Sequence, residues 1–207
     1  MIKKIIKENL IYLIIILLLV LISSIVMRSS LHDKIIIFDK EIIKIVSNNL
    51  NNTLVSIFKI LTEFGDFVIP CIILIVLLII KKNKWIALLQ ACSYGLSGII
   101  TYVSKLLAAR PRPEIAIIKI PSSFSFPSGH TLTSIVFYTM LCYLLAYKSK
   151  NRNIYMICGF VFALLIASSR VDLGVHYFSD VLGGLIIAIP CLLMCINIIN
   201  KNFTKKL

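Results

Sequence analysis

The stretch FSFPSGHTLTSIVFY (residues 124–138) decides how the rest of the chain is interpreted. It places a Pro-Ser-Gly-His turn directly before an apolar run that has the character of a helix. A histidine at the mouth of an apolar segment raises the question of what that position requires. The answer depends on the solvent in which the apolar run lies, and the composition of the whole chain indicates that solvent.

The composition is that of a membrane protein. Of the 207 residues, 59% are hydrophobic, well above the share in a soluble domain. Six apolar runs recur along the chain, and about 20 helical residues cross a hydrocarbon core of about 30 Å. The runs are continuous rather than alternating, which favours helices over barrel strands. We therefore predict an all-α integral membrane bundle of six helices in one domain, residues 1–207, with spans at 10–27, 67–80, 85–108, 130–147, 154–169 and 181–199.

The basic residues indicate how this bundle is oriented. The net charge is +13, and twelve of the 22 Lys and Arg residues form four short clusters. With six spans all four clusters lie on one side, so the positive-inside rule predicts that both termini are cytoplasmic. The charge is thus explained by topology and does not predict a nucleic-acid partner. The first span is expected to be a retained anchor rather than a cleaved signal peptide. The clusters are Lys3, Lys4, Lys7; Lys81, Lys82, Lys84; Lys148, Lys150, Arg152; and Lys201, Lys205, Lys206.

The external segment 28–66 is the longest part of the chain outside the predicted spans. Within it, DKIIIFDKEIIKIVSNNL spaces apolar residues at near-helical intervals among charges. This pattern predicts an amphipathic helix that lies on the outer membrane surface, with a substrate lid as the alternative. His32 belongs to this segment and is expected to be exposed, without polar partners.

Three polar patterns remain, and all lie at or beyond the outer ends of predicted spans. Ionisable groups are costly near a membrane interior, so their collection at one face predicts a functional site. Lys105 in particular interrupts an apolar stretch just inside the third span. The patterns are KLLAARPRP (105–113), PSGH (127–130) and SRVDLGVHYFSD (169–180).

These patterns contain the groups that bind phosphate. The cationic side chains of Lys105, Arg112 and Arg170 can surround an anion, and guanidinium groups match the geometry of phosphate oxygens. Ser128 and Gly129 add a hydroxyl and exposed backbone N–H groups just before a helix start, where an anion is favoured. The sequence therefore predicts a phosphate-binding cradle.

Two histidines beside a bound phosphate suggest two catalytic roles. A neutral imidazole can attack phosphorus, and a protonated one can donate to the departing oxygen. His176 and Asp180 would be neighbours on a helical turn, and a carboxylate orients an imidazole and stabilises its charged form. We therefore expect His176 to be the nucleophile, Asp180 its partner and His130 the acid. A divalent metal at these residues is not expected, because the surrounding cations would repel it.

In order and spacing, Lys105-x6-Arg112-Pro113, Pro127-Ser128-Gly129-His130 and Ser169-Arg170-x5-His176-x3-Asp180 resemble the three-part signature of the type 2 phosphatidic acid phosphatase superfamily. The resemblance covers residues 105–180 by motif. It implies a metal-independent phosphatase without cofactor that passes through a phosphohistidine, with the roles given above. Only Arg112 has the signature's spacing from Lys105, so Arg110 is interpreted as an auxiliary or surface charge. Asp172 and Phe178 depart from residues common in relatives; neither change removes a catalytic group, and the added carboxylate of Asp172 is expected to affect substrate choice.

The expected function is hydrolysis of a lipid phosphate or diphosphate at the outer face of a multi-pass cell-membrane protein. By the resemblance, undecaprenyl diphosphate and phosphatidylglycerophosphate are the leading substrates, followed by phosphatidic acid, and the first would connect the enzyme to cell-wall synthesis. Two alternatives stay open: a lipid phosphotransferase that uses the same site, and an anion transporter lined by Lys105, Arg112 and Arg170. The expected partners are the lipid substrate and the bilayer, and the sequence predicts no oligomeric state.

Overall fold

The computed structural model describes residues 2–80 and 84–204. In these ranges the chain forms helices joined by loops and contains no strands, which confirms the predicted all-α class. The basic residues Lys81, Lys82, Lys205 and Lys206 lie outside the described residues. The described helices are α1 (Ile2–Arg28), α2 (Leu31–Asn49), α3 (Asn52–Glu63), α4 (Val68–Ile80), α5 (Lys84–Ala108), α6 (Gly129–Leu145), α7 (Arg152–Asp172) and α8 (Phe178–Asn202).

Four helices, α1, α5, α7 and α8, are long and apolar enough to cross a membrane. The pair α3 and α4, bent by 48° at their junction, is a candidate for a fifth crossing. Large apolar side chains cover the outside of the bundle, including those of Ile25, Ile79, Ile99 and Ile157. Such a surface requires hydrocarbon rather than water as its solvent. The chain is therefore a multi-pass membrane protein, with four or five candidate crossings among the described residues.

Helix α6 forms the centre of the bundle. Apolar side chains occur on every face of this helix, and the polar residues among them, such as Thr131, Ser134 and Thr139, are small, so all of its faces can be buried. Leu132, Ile135, Phe137 and Met140 have no exposed surface, and α6 packs against α5, α7 and α8. At 17 residues it is about 25 Å long, somewhat short of a full hydrocarbon core. This is why a count of six spans stays a prediction, although each of the six apolar runs lies mainly on a helix.

The helix ends form two layers with different chemistry. At one end the starts of α1, α5 and α7 contact the ends of α6 and α8. Asn197 Nδ2 donates to Asn9 Oδ1 (2.9 Å), and Tyr143 donates to Asn200 (2.6 Å). The Arg152 guanidinium lies 5.0 Å from the Tyr143 ring centroid, and the centroids of the Trp85 and Phe203 rings are 5.8 Å apart. The described members of the four basic clusters belong to this end. The opposite end carries the three polar patterns, together with α2 and the α3–α4 junction.

Helix α2 is more than a surface helix. The 28–66 segment does form an amphipathic helix, but a second helix, α3, follows it. Asp39 and Ile43 are the buried residues of α2, and the helix packs against α1, α7 and α8. The expectation for His32 was wrong: the ring is only partly exposed, and its Nε2 accepts a hydrogen bond from Arg110 Nε at 3.1 Å. The segment thus reaches into the polar end of the bundle.

Candidate active site

His176 lies in the short connection between α7 and α8 and is almost completely buried. Its Nε2 is 3.1 Å from Nη1 of Arg112. An arginine can only donate, so Nε2 must be the unprotonated nitrogen of a neutral ring. The proton is then on Nδ1, which faces Oδ2 of Asp180 at 3.4 Å. The geometry directs the free electron pair of His176 toward the arginine and its N–H toward the carboxylate.

Burial lowers the pKa of His176 to about 3. The carboxylate of Asp180 acts in the opposite direction, whereas the positive charges of Arg112 and Lys105 lower the pKa further. The ring is therefore neutral at ordinary pH, which is the form that a nitrogen nucleophile requires. Burial also lowers the pKa of Arg112, and Asp180 opposes that shift.

Asp180 is fixed by donors on both oxygens. Oδ2 accepts hydrogen bonds from the Ser125 hydroxyl (2.5 Å) and the Tyr177 backbone N–H (2.9 Å), and Oδ1 accepts one from Arg110 (2.6 Å). His176 precedes α8 rather than sharing a helical turn with Asp180, so that part of the expectation was wrong. The two still meet, because Asp180 is in the first turn of α8 and its side chain folds back to the Tyr177 amide.

The three predicted cations of the cradle come from different elements. Lys105, in the last turn of α5, donates to the carbonyl oxygens of Phe124 and Ser125, the latter at 3.2 Å. Arg112 donates to the carbonyl oxygens of Ser123 and Val175, both at 2.8 Å. These contacts hold both cations near His176, and because carbonyl oxygens are neutral, the positive charges are not cancelled.

Arg170 lies in the last turn of α7 and is buried, and its Nη1 donates to the hydroxyl of Thr62 on α3. Within the described part of the chain its buried Nε has no hydrogen-bond partner. The charge of Arg170 acts on both Lys105 and Arg112, so the three cations share one region. A buried donor without a partner is costly, and an anion in this region would satisfy it.

The PSGH turn begins α6. Ser128 is the N-cap, its side chain accepts from the Thr131 amide, and its own amide donates to the Asp180 carbonyl oxygen (3.0 Å). Gly129 starts the helix where a Cβ atom would lie 3.3 Å from Thr101 and 3.8 Å from Lys105. Glycine thus lets α5, with its lysine, approach the start of α6. The helix N-terminus and the lysine therefore lie side by side, as an anion site requires.

His130 lies in the first turn of α6 with Nε2 3.2 Å from Oδ1 of Asp66, in the α3–α4 junction. Gly65 permits this contact, because a Cβ there would lie 2.6 Å from the His130 ring. Arg170 and Arg112 both act electrostatically on His130. His130 therefore borders the same cationic region as His176 but has a separate, partly exposed carboxylate beside it.

Of the two interpretations of Arg110, the surface charge was wrong, and an auxiliary role remains. Its side chain is fully buried and forms ion pairs with Asp180 (2.6 Å) and Asp39 (2.7 Å). It was missed because ARPRP offers two arginines and the spacing from Lys105 selects the other. Asp39 was missed too, although a signal existed: Ile35 and Ile43 stand four residues either side of it, so Asp39 lies on the apolar stripe of α2, where a carboxylate needs a partner.

Two residues that depart from the family pattern lie beside α2. Asp172, at the end of α7, lines a small cavity with Ile45 and Phe58. The Phe178 ring packs edge-on against Phe38 with 6.3 Å between centroids.

Among the described residues, no group of three or more His, Cys, Asp and Glu side chains is placed to hold a metal ion.

Comparison with known proteins gives concordant results. Residues 86–204 match the family model of the PAP2 superfamily. A phosphatidylglycerophosphatase B of Bacillus subtilis is 35% identical over 131 residues, which cover 60% of this chain and 64% of that protein. An undecaprenyl-diphosphatase of Sulfolobus acidocaldarius is 29% identical over 84% of each chain.

A solved structure has the same fold. The crystal structure of a transmembrane PAP2-type phosphatidylglycerolphosphate phosphatase from Bacillus subtilis matches with a TM-score of 0.80 at 26% identity, over 91% of this chain and 96% of that one. The family match covers more than half of the chain and includes all three polar patterns. The chain therefore belongs to the PAP2 superfamily.

Proposed function

We propose that this protein is a membrane phosphatase that hydrolyses a lipid phosphate or diphosphate through a phosphohistidine on His176. The observation that carries the proposal is the orientation of His176. Its ring is buried and neutral, with Nε2 3.1 Å from the Arg112 guanidinium and Nδ1 toward Asp180. A phosphate held by Arg112 would place phosphorus within reach of Nε2.

Lys105, Arg112, Arg170, the Ser128 hydroxyl and the Gly129 amide bind the phosphate oxygens in this mechanism. Their charges stabilise the transition state as negative charge redistributes over the phosphoryl oxygens. Arg170 Nε, buried without a partner among the described residues, gains one when phosphate binds.

The reaction then proceeds in two displacements. His176 Nε2 attacks phosphorus and forms the N–P bond, the P–O bond to the leaving group breaks, and His130 donates a proton to the leaving oxygen. Asp180 stabilises the positive charge that the phosphorylated imidazole acquires. Water then attacks phosphorus, His130 takes a proton from that water, and inorganic phosphate leaves as His176 is regenerated. No metal ion takes part, because three cations already surround the phosphate.

The substrate is a lipid because the site lies at the end of a membrane bundle. A hydrophobic tail can remain in the bilayer while its head group reaches Arg112. A cavity of about 530 Å³ beside Arg112, bordered by Lys40 and Lys44 of α2, offers space and positive charge for that head group. The relatives named above act on undecaprenyl diphosphate and phosphatidylglycerophosphate by name, and we propose these two as the first substrates to test.

The proposed orientation has six spans, both termini in the cytoplasm and the active site at the outer face. It is supported by the described basic clusters, which lie at the end of the bundle opposite the site. Reporter fusions to the C-terminus test it: a reporter active only in the cytoplasm should be active there. Activity of a periplasm-dependent reporter at that position would overturn the orientation.

Phosphatase activity is tested by incubating the purified protein with each lipid in the presence of chelator and measuring the inorganic phosphate released. The substrates are undecaprenyl diphosphate, phosphatidylglycerophosphate and phosphatidic acid. Lys105→Ala should lose most activity, whereas Lys119→Ala, which removes an exposed cation from the 109–128 segment, should retain it. Formation of a phosphorylated alcohol when an acceptor alcohol is added, without release of inorganic phosphate, would identify the phosphotransferase alternative. The transporter alternative predicts phosphate movement into vesicles without release from any lipid.

A further inference from the structure

Arg110 lies at the centre of a buried charge network, and its contacts decide what it does. Nη1 donates to Asp180 Oδ1 (2.6 Å) and the Ser179 hydroxyl (2.7 Å), Nη2 donates to Asp39 Oδ2 (2.7 Å), and Nε donates to His32 (3.1 Å). The guanidinium also lies 4.2 Å from the Tyr177 ring centroid. Each nitrogen is already bonded to protein, so Arg110 is not placed to bind phosphate.

Asp39 has the complementary position. Its side chain is fully buried, Oδ1 accepts from the Ser179 amide (2.9 Å), and Oδ2 accepts from the Ser179 hydroxyl (2.5 Å) as well as from Arg110. The Ser179 amide belongs to the first turn of α8, where a carboxylate is favoured by the unpaired amides and the helix dipole. Asp39 therefore connects α2 to the turn of α8 that carries Asp180.

The charges of this network explain why both residues are needed. Arg110 alone would neutralise Asp180 and weaken its effect on His176. Asp39 adds a second carboxylate to the same guanidinium, so the three groups together carry one net negative charge. That charge remains available to stabilise the positive imidazole that forms when His176 attacks.

We infer that Arg110 and Asp39 are positioning residues for the phosphoryl-transfer step, which makes α2 part of the active site. Arg110 holds one oxygen of Asp180 so that the other faces His176, and Asp39 fixes Arg110 and offsets its charge. This inference rests on the proposed function. The phosphate is bound by other residues, so the pair acts on the rate of transfer and leaves phosphate binding unchanged.

The test is a single-turnover measurement of phosphohistidine formation, with labelled lipid phosphate and enzyme in excess. With enzyme in saturating excess, the rate constant reports the chemistry of active molecules. A separate titration of the same preparation with inorganic phosphate reports how many molecules are active, because its amplitude is the number of binding sites. Asp39→Asn should lower the rate constant about 10- to 100-fold, as expected for a lost hydrogen bond between charged groups. The amplitude and the affinity for inorganic phosphate should stay at wild-type values. Glu41→Gln, the same charge change at an exposed position of α2, is the matched control and should have no effect.

Arg110→Lys gives a second measurement should Asp39→Asn fold poorly. It keeps the charge beside Asp180 but cannot bridge two carboxylates with a planar fork, so the rate constant should again fall and the affinity should not. If the pair acts through Asp180, combining Asp39→Asn with Asp180→Asn should add less than about threefold to the loss caused by Asp180→Asn alone.

Three results would overturn the inference: a lower amplitude with an unchanged rate constant, weaker phosphate binding, or losses that multiply in the double variant. The first would mean that Asp39 only supports folding, and the second that Arg110 binds substrate. A wild-type protein that forms no phosphohistidine while it hydrolyses the lipid would overturn the proposed function and this inference together. The wild-type trace therefore separates that failure from one confined to Asp39 and Arg110.

Discussion

Replacing Asp180 by asparagine removes one negative charge beside His176 while keeping the size of the side chain. Asp180 Oδ2 lies 3.4 Å from Nδ1 of the histidine. At an effective dielectric constant of about 20, a full charge at this distance attracts an imidazolium by about 5 kcal/mol. The transition state carries only part of that charge, so about 4 kcal/mol, or about 10³-fold in rate, is the expected loss.

Asparagine also introduces a mismatch in hydrogen bonding. The Asp180 oxygens accept from Arg110, Ser125 and the Tyr177 amide, so the added N–H group must face a donor. This mismatch lowers the rate further, in the same direction as the loss of the negative charge. Phosphate binding should change little, because these contacts do not involve Lys105 or Arg170.

The assay is rapid-quench measurement of protein phosphorylation in a single turnover, with Asp33→Asn on the exposed side of α2 as the control. Phosphorylation of the Asp180→Asn variant should be about 10³-fold slower than that of wild type, and the control should be unaffected. A loss of less than tenfold would refute the view that Asp180 stabilises a charged His176.

Burial of neutral His176 predicts a pH effect on stability. The pKa of His176 is about 3 in the folded protein and about 6.5 in the unfolded chain. As the pH falls from 6.5 toward 3, the unfolded state takes up a proton that the folded state does not, so the free energy of unfolding falls. Between pH 6.5 and 4 the loss is about 3 kcal/mol, and the Tm in detergent should fall further for wild type than for His176→Gln. His130→Ala should slow turnover of a lipid monophosphate such as phosphatidylglycerophosphate, which expels an alkoxide, more than that of a nitrophenyl phosphate, whose leaving group needs no proton. Gly183→Ala should lower the Tm and activity, because a Cβ there would lie 2.3 Å from the buried Phe126 ring, whereas Gly95→Ala on α5, with no atom within 4 Å, should not.

Each of these predictions has an outcome that contradicts it. Parallel Tm curves for wild type and His176→Gln would mean that His176 is not buried in its neutral form. Equal losses on lipid and aryl substrates would assign the proton donation to a group other than His130. If Gly183→Ala kept the wild-type Tm, the 124–128 segment would not depend on close packing of Phe126 against α8.

The parts of the site that could be predicted from sequence have strong local signals. A lysine near the end of an apolar helix, or a histidine after a Ser-Gly turn, has few structural explanations in a membrane protein. The contact between His176 and Asp180 is also local, because the two residues are four positions apart in the chain. The helical class follows from continuous apolar runs, which have one solution in a bilayer once a barrel is excluded.

The network behind the site could not be predicted in the same way. The ion pair of Asp39 and Arg110 joins positions 71 residues apart, and no local pattern specifies which distant carboxylate an arginine meets. The choice between Arg110 and Arg112 shows the same limit, since adjacent Arg-Pro pairs differ only in what surrounds them after folding. Helix α2 was predicted as a helix, but its role depends on Asp39 reaching the start of α8. Hydrophobic patterns specify which face is buried, and they leave the buried partner undefined.

The central claim is that phosphate passes through a covalent bond to His176. The most direct measurement is to incubate the purified protein with labelled lipid phosphate in chelator, stop the reaction with alkali and map the labelled peptide. We expect a label that resists alkali, is lost in acid, maps to His176 and is absent from His176→Ala. Phosphate release by wild type without any such label, or continued release by His176→Ala, would contradict it.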